Sequence, residues 1–317
     1  MKNFSRPVVA LLFSALVFSL ACPVTAEEES STETDIRQSI LAGNWYPGSR
    51  AALRKAIKSF MTKASSGPLP AGEIKAVIVP HAGYRYSGQV AADAFRLLEG
   101  STLKRVILIG PSHRMRFNGA SVNLQSGYET PLGVVPVDLK FCRELMKEVP
   151  NMEWIKDAHL MEHCLEIQLP FLQTTLKDFK IVPILLSEMD FHACQRLADA
   201  IVKKTKGKGE TLILASTDLS HFHPSDRAEA LDRRFISRIE QLDPKGLAED
   251  IASGKCEACG HNAAVTVLLA ALGLGVDRAA ILSYSHSGQT TGDNRSVVGY
   301  LSAALIRSYY RDPHQKK

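Results

Sequence analysis

Residues 76–83, A-V-I-V-P-H-A-G, decide the fold. The apolar residues 76–79 have the length and composition of a buried strand, and Pro80 ends it because proline cannot continue a central strand. His81 therefore stands at the exit of that strand. A lone histidine in such a place is most often a partly exposed loop residue, so the other strands decide whether His81 has a function.

The same order of apolar run, loop and amphipathic stretch recurs along the chain. Strands are predicted at 76–79, 106–109, 181–186, 211–215 and 279–283. Helices are predicted at 88–98, 139–149, 192–204, 227–240, 262–272 and after Asp243, and 297–306 is either a strand or a helix. Such alternation predicts an α/β fold, a single domain with a mostly parallel or mixed sheet flanked by helices.

The two ends of the chain differ from its middle. Lys2 and Arg6 precede an apolar stretch that closes on small residues, which is typical of a secretory signal peptide and too short for a membrane span. We predict a signal peptide at 1–26, a polar linker at 27–38, one domain at 39–310 and a basic tail at 311–317. The protein is then exported, to the periplasm or outside the cell, with lipoprotein anchoring through Cys22 as the alternative.

Composition excludes some classes of function. The chain has 317 residues, 45% of them hydrophobic, and a net charge of +5 that is spread along the sequence, so we predict no nucleic-acid binding. Apart from Cys22, five cysteines remain. An odd number cannot form a complete set of internal disulfides, so at least one thiol is free, metal-bound or paired with another molecule.

Polar residues follow four of the predicted strands. His81 follows the first strand, His113 the second, Asp218 and His221 the fourth, and His286 the fifth. Because ligands bind at the carboxyl ends of strands in open α/β sheets, histidines at equivalent positions predict one common site. Neutral imidazole is the commonest metal ligand, so the predicted site is a metal site.

Cys259 is the candidate thiol. It stands before an apolar helix, where a helix N-terminus favours the thiolate. Cys256 and Cys259 form a C-x-x-C pair that is either a disulfide or part of a metal site, and a zinc finger is excluded because no second pair exists. Glu162 and His163 either point into the site or serve only the structure, and Glu166 is predicted on the solvent face of a helix.

Six motifs in order resemble the Memo family, also called AmmeMemoRadiSam system protein B: VPHAGYRYSG, LIGPSH, EHCLEIQLPFL, STDLSHF, CGHNAA and DNRSVVGY. The resemblance extends from LAGNWYPG at residues 41–48 to about residue 306, with the tryptophan and tyrosine of that motif in the pocket or core. It implies a fold similar to class III extradiol dioxygenases, which use non-haem Fe(II). The ligands that it implies are His81, His113 and Cys259.

The resemblance also implies roles for other residues. Asp218 and His221 match an element beside the metal, where Asp218 would orient a ligand and His221 would move a proton. Glu162 and His163 match the E-H motif of the family, and with Tyr84 and His286 they are expected around the ligands or in the pocket wall. A thiolate in place of the carboxylate of non-haem oxygenases suits Fe(II) first and Cu(I) or Zn next.

The leading hypothesis is therefore an exported, metal-binding Memo-family protein with a redox role. One alternative is a metal-dependent oxygenase or oxidoreductase acting on a small aromatic substrate. Others are a hydrolase with Cys259 as nucleophile and His221 and Asp218 as base and orienter, and a non-catalytic protein that binds a peptide. The expected partners are a metal ion, a small aromatic or peptide ligand, and radical-SAM system proteins, from which export would separate this chain.

Overall fold

The computed structural model of the protein describes Met1 and residues 35–64, 71–207 and 209–309. Residues 2–26 of the predicted signal peptide, most of the predicted linker and the basic tail lie outside these residues. The described residues from Asp35 onward belong to one compact unit. None of the helices described in it combines the length and apolar character needed to cross a membrane.

The described residues form strands and helices in alternation. The strands are β1 (Ile36–Arg37), β2 (Gly72–Val79), β3 (Arg105–Pro111), β4 (Ala120–Val122), β5 (Gly127–Thr130), β6 (Gly133–Pro136), β7 (Met152–Glu153), β8 (Lys180–Leu186), β9 (Thr211–Ser216), β10 (His221–His223), β11 (Arg278–His286) and β12 (Val297–Ser308). The helices are α1 (Arg50–Lys63), α2 (Tyr84–Arg96), α3 (Leu139–Glu148), α4 (Lys156–Leu160), α5 (Leu169–Thr175), α6 (Phe191–Thr205), α7 (Ser225–Glu240), α8 (Pro244–Ala252), α9 (His261–Gly273) and α10 (Ser287–Thr291).

The main sheet is mixed, with strand order β10-β12-β2-β9-β3-β8-β4-β7 and β11 paired to β12. Its centre consists of β2, β9, β3 and β8, which are parallel to one another. β12 is antiparallel to β2, β10 and β11, and β4 is antiparallel to β8. A separate small sheet contains β1, β5 and β6. The prediction of a single α/β domain with a mixed sheet flanked by helices is confirmed.

The central strands are continuous apolar runs because both of their faces are covered. Residues 76–79 of β2 and 106–109 of β3 are fully buried. Each of the five predicted strands is a strand in the structure, and 297–306, which could have been either element, lies in β12. Its buried alanines and leucines pack within the sheet between β11 and β2.

Helix α1 was not predicted, although its sequence carries a signal. Ser49 caps it by accepting a hydrogen bond from the backbone N–H of Ala52 at 3.3 Å. Leu53, Ile57 and Met61 recur every fourth residue and are buried, which is the spacing of one helix face. The charged residues Arg54, Lys55 and Lys58 interrupt the apolar positions, so the segment contains no continuous apolar run that would have indicated it.

The carboxyl ends of β2, β9 and β3 meet at one edge of the sheet because the three strands are adjacent and parallel. The start of α9 approaches the same edge, where the N–H of Cys259 contacts the carbonyl of Asp218 at 3.3 Å. Gly260 allows this approach, since a Cβ atom there would lie 2.6 Å from the carbonyl oxygen of Ser216. The fold thus brings Cys259 beside the exits of three strands.

Candidate metal centre

Three imidazole rings converge at this edge of the sheet. One ring nitrogen from each of His81, His113 and His163 lies within 4.8 Å of the others. The His81 ring centroid is 5.1 Å from that of His113 and 5.2 Å from that of His163, and His113 and His163 stack at 4.5 Å. The group of residues could hold a metal ion, and it includes His163, which the sequence placed only around the ligands or in the pocket wall.

Cys259 adds a sulfur atom to this group. Its Sγ lies 3.1 Å from Nε2 of His81 and accepts the backbone N–H of Asp218 at 3.3 Å. Burial, followed by the charge of Asp218, raises the pKa of the Cys259 thiol. Cys256 and Cys259 are both free thiols in the structure, so the disulfide alternative is not the state described.

Glu162 determines which nitrogen of His113 carries a proton. Its two carboxylate oxygens lie 2.9 Å from Nδ1 and 2.6 Å from the backbone nitrogen of that histidine. Burial alone would raise the pKa of Glu162, but hydrogen bonds and charge from His113 and His163 lower it to about 2. The ionised carboxylate can only accept hydrogen bonds, so Nδ1 of His113 is the donor, and in the neutral ring Nε2 is the atom that carries a lone pair.

A serine determines the protonation of His81 in the same way. The Ser216 hydroxyl donates its single proton to the carbonyl of Cys164 at 2.7 Å and accepts from the Gln168 amide at 2.9 Å. Nδ1 of His81, 3.1 Å away, must therefore donate to Ser216. Burial, followed by the charge of His113, lowers the pKa of His81 to about 3. Its Nε2 thus presents a lone pair toward Cys259.

His163 contains a buried atom that lacks a hydrogen bond. Its Nδ1 has no hydrogen-bond partner among the described residues, although Glu162 Oε1 lies 3.2 Å away without hydrogen-bond geometry. Burial, followed by the charge of His81, lowers the pKa of His163 to about 3. Neutral imidazoles and a thiol are donors that suit Fe(II), Cu(I) or Zn, and an unsatisfied buried nitrogen fits a site that takes a ligand.

A cavity of about 550 Å³ opens onto these residues. Its wall includes Trp45, Tyr86, Tyr300, Asp218 and His221. Asp218 accepts the backbone N–H of His81 at 2.7 Å, and burial raises its pKa to about 6. Nδ1 of His221 lies 2.7 Å from the carbonyl of Leu219 and donates to it, so in the neutral ring the lone pair is on Nε2.

Two of the residues expected in the site lie elsewhere. The Tyr84 hydroxyl donates to the carbonyl of Ile167 at 2.9 Å, and the ring packs against Phe171 in the core. His286 ends β11, which β12 separates from β2, and its Nε2 is 3.8 Å from Glu229. Neither residue lines the cavity described above.

The prediction for Glu166 is wrong. Glu166 is fully buried and begins a 3-10 turn, Glu166–Gln168, rather than lying on the solvent face of a helix. The sequence reasoning also missed Ser216 and Gln168, which orient His81. The sequence does show Ser216 as a polar residue that ends the apolar run 211–215, and this was a usable signal. No sequence pattern pointed to Gln168.

Comparison with known proteins gives one consistent family. The sequence profile of the Memo-like protein family matches residues 37–304. A MEMO1 family protein of Methanothermobacter thermautotrophicus is 36% identical over 272 residues, which cover 84% of this chain and 98% of the relative. A relative in Sulfolobus acidocaldarius is 38% identical, covering 84% and 98%, and one in Methanopyrus kandleri is 32% identical, covering 86% and 99%.

Proposed function

This chain belongs to the Memo-like family, and we propose that it binds a redox-active metal ion, iron or copper, through His81, His113 and Cys259. The observation that carries the proposal is the convergence of three imidazoles within 4.8 Å, beside a thiol. These side chains come from distant parts of the sequence. His81 is buried and His163 and Cys259 are partly buried, while His113 lies at the rim, and a shared metal ion gives a physical reason for these groups to meet.

The protonation of the histidines supports this proposal. Glu162 and Ser216 accept from Nδ1 of His113 and of His81, so both rings offer Nε2 as a ligand atom. Partners of this kind fix the orientation of ligand histidines and raise their basicity. His163 is a third imidazole beside them. When bound, iron or copper would supply one-electron redox chemistry at this group.

Two residues of the cavity support proton movement beside the metal. Asp218 holds the His81 backbone through a 2.7 Å hydrogen bond and is thus a positioning group. His221 lines the cavity, and in its neutral form Nε2 is the atom that can take a proton from a bound molecule. The proposed redox role rests on these groups together with the thiol, which is softer and more easily oxidised than a carboxylate.

One feature favours a second candidate function, an oxygenase or oxidoreductase for a small aromatic substrate. The cavity has a volume of about 550 Å³ and aromatic side chains, Trp45, Tyr86 and Tyr300, in its wall. Aromatic walls favour an aromatic ligand by stacking or edge contacts. The hydrolase reading has less support, because the imidazole in contact with Cys259 is that of His81 rather than His221 and burial raises the pKa of the thiol.

Export is proposed as well. It rests on the charged start, apolar middle and small-residue end of the first 26 residues. Cleavage before Glu27 in cells, followed by recovery of the protein outside the cytoplasm, is the expected result. A full-length protein retained in the cytoplasm would contradict the export proposal without affecting the metal site.

Metal content tests the proposed function. We would purify the protein beginning at Glu27 without oxygen and measure its metal by mass spectrometry, beside His113→Ala, Cys259→Ser and the exposed control His192→Ala. About one equivalent of iron or copper is expected in the wild type and the control, and a loss in the other two. Circular dichroism must show that all four proteins are folded. Absence of metal from the wild type, even after reconstitution, would refute the proposal.

A further inference from the structure

We propose that Glu166 is a positioning residue, which holds residues 39–46 so that the Trp45 ring covers the His163 side of the candidate metal centre. Its expected consequence, faster metal exchange when Trp45 no longer covers the site, rests on the proposed function. The position of Trp45 itself can be measured without metal.

Glu166 is fully buried and its carboxylate accepts hydrogen bonds from five donors. These are Arg37 Nη1 at 2.6 Å, Ser39 Oγ at 2.7 Å, the backbone N–H groups of Ile40 and Leu41 at 3.1 Å each, and the Tyr46 hydroxyl at 2.7 Å. Four of the five belong to residues 39–46. An ionised carboxylate accepts from several directions at once, and no neutral side chain of this size can replace it.

Residues 39–46 have no helix or longer strand to hold them. They form a turn in which Gly43 has a φ of +86° and donates to the carbonyl of Tyr46 at 2.8 Å, while the N–H of Trp45 contacts the carbonyl of Leu41 at 2.9 Å. Ordering such a segment costs conformational entropy, so it needs attachment to the domain. Glu166 attaches both ends of the turn, and the N–H of Tyr84 donates to the carbonyl of Trp45 at 2.9 Å.

Trp45 contacts the candidate centre through its ring. Its ring centroid is 4.6 Å from that of His163, and His163 stacks on His113 at 4.5 Å. Trp45 and Asn44 also line the cavity that opens onto the cluster. The turn therefore forms one wall of the site, and its indole packs against the His163 ring.

The position of Glu166 in the chain couples the cover to the cluster. Glu166 follows His163 by three residues, so one short segment carries both a ring of the cluster and the anchor of the turn that covers it. A shift of this segment would move the two together and preserve the contact between Trp45 and His163. An anchor elsewhere in the fold would not have this effect.

Arg37 raises an alternative, that Glu166 only neutralises a buried cation. Arg37 has other anchors, since its Nε donates to the carbonyl of His159 and its Nη2 to that of Glu162, both at 2.6 Å. A Ser39→Ala/Tyr46→Phe double variant removes two donors of the turn and leaves the Arg37–Glu166 pair in place. The double variant therefore separates the positioning role from charge neutralisation. It also tests the positioning role if Glu166→Gln fails to fold.

Fluorescence of metal-free protein tests the inference. The chain has two tryptophans, so Trp154→Phe leaves Trp45 as the single emitter. In this background, treated with chelator, we would compare acrylamide quenching for Glu166→Gln, for the double variant and for the exposed control Glu249→Gln. Quenching of Trp45 should rise severalfold and its emission shift to the red in the first two proteins only. Unchanged quenching in the folded variants would overturn the inference.

Metal release gives the functional readout. Transfer of metal from loaded protein to a competing chelator should be severalfold faster in Glu166→Gln and in the double variant than in the control, because the displaced turn no longer packs against His163. Equal release rates would overturn the role of Trp45 as a cover. A wild type that binds no metal would refute the proposed function, whereas the fluorescence result would still decide the position of Trp45.

Discussion

Glu162 Oε1 lies 2.9 Å from Nδ1 of His113, and Glu162 Oε2 accepts the backbone N–H of the same residue at 2.6 Å. Oε1 also accepts the N–H groups of His163 and Cys164 at 2.9 and 3.1 Å. One buried carboxylate thus positions the chain after β3 and the backbone of His163. It also sets which ring nitrogen of His113 donates. Two of the three imidazoles depend on it for their positions.

Glu162→Gln should weaken metal binding by about 10- to 100-fold, as loss of a partner of a ligand histidine usually does. The amide cannot accept from all four donors, so the protein should also lose about 1–3 kcal/mol of stability. Chelator competition and urea unfolding measure the two effects, with Glu249→Gln as the matched control. Unchanged affinity in a folded variant would mean that His113 is not a ligand.

Ser216→Ala should allow His81 to adopt both neutral tautomers, because the variant lacks the oxygen that accepts from Nδ1. The ¹⁵N shifts of the His81 ring in metal-free protein should change from the Nδ1–H form to a mixture of tautomers. Ser302→Ala is the control, since Ser302 Oγ is buried without a hydrogen-bond partner among the described residues. A His81 ring that keeps the Nδ1–H form in Ser216→Ala would contradict the assignment.

Cys259 should be protected from alkylation by bound metal. It is partly buried, whereas Cys142, Cys164, Cys194 and Cys256 are all buried, so it should be alkylated first after chelation. Peptide mass spectrometry, with and without chelator, locates the label, and Cys259→Ser should lack it. Fast labelling that chelation does not change would favour a metal-free nucleophile and the hydrolase reading.

Asp250→Asn should destabilise the protein in a pH-dependent way. Hydrogen bonds from Arg234 and Arg238, both to a buried carboxylate, lower the pKa of Asp250 from 3.8 to about 2. A folded-state pKa below the unfolded value stabilises the protein above about pH 4, and this stabilisation is lost as the pH falls toward about 2.

Urea unfolding of wild type and Asp250→Asn across this range measures the difference. The variant should be about 1–3 kcal/mol less stable at neutral pH, since hydrogen bonds to a charged group are lost. The gap should close as the pH approaches 2. A gap that is constant with pH would show that the ion pairs contribute nothing to it.

The sequence alone determined the α/β class and most element positions, because buried parallel strands are continuous apolar runs that local composition reveals. It also placed His81 and His113 after consecutive predicted strands, since the strand ends could be read from Pro80 and Gly110. The family followed from motifs that span nearly the whole domain, and the comparison confirms it. The roles of His81 and His113 as metal ligands remain predictions.

Only the tertiary structure brought Cys259 to His81 across 178 positions, and His163 onto His113. Strand order and the path of each loop depend on packing between distant segments, which no local pattern reports. Glu166 illustrates the same limit: helical periodicity placed it toward solvent, but a 3-10 turn and the segment of residues 39–46 bury it. A buried carboxylate is stable only with its donors, and those donors lie more than 100 residues away.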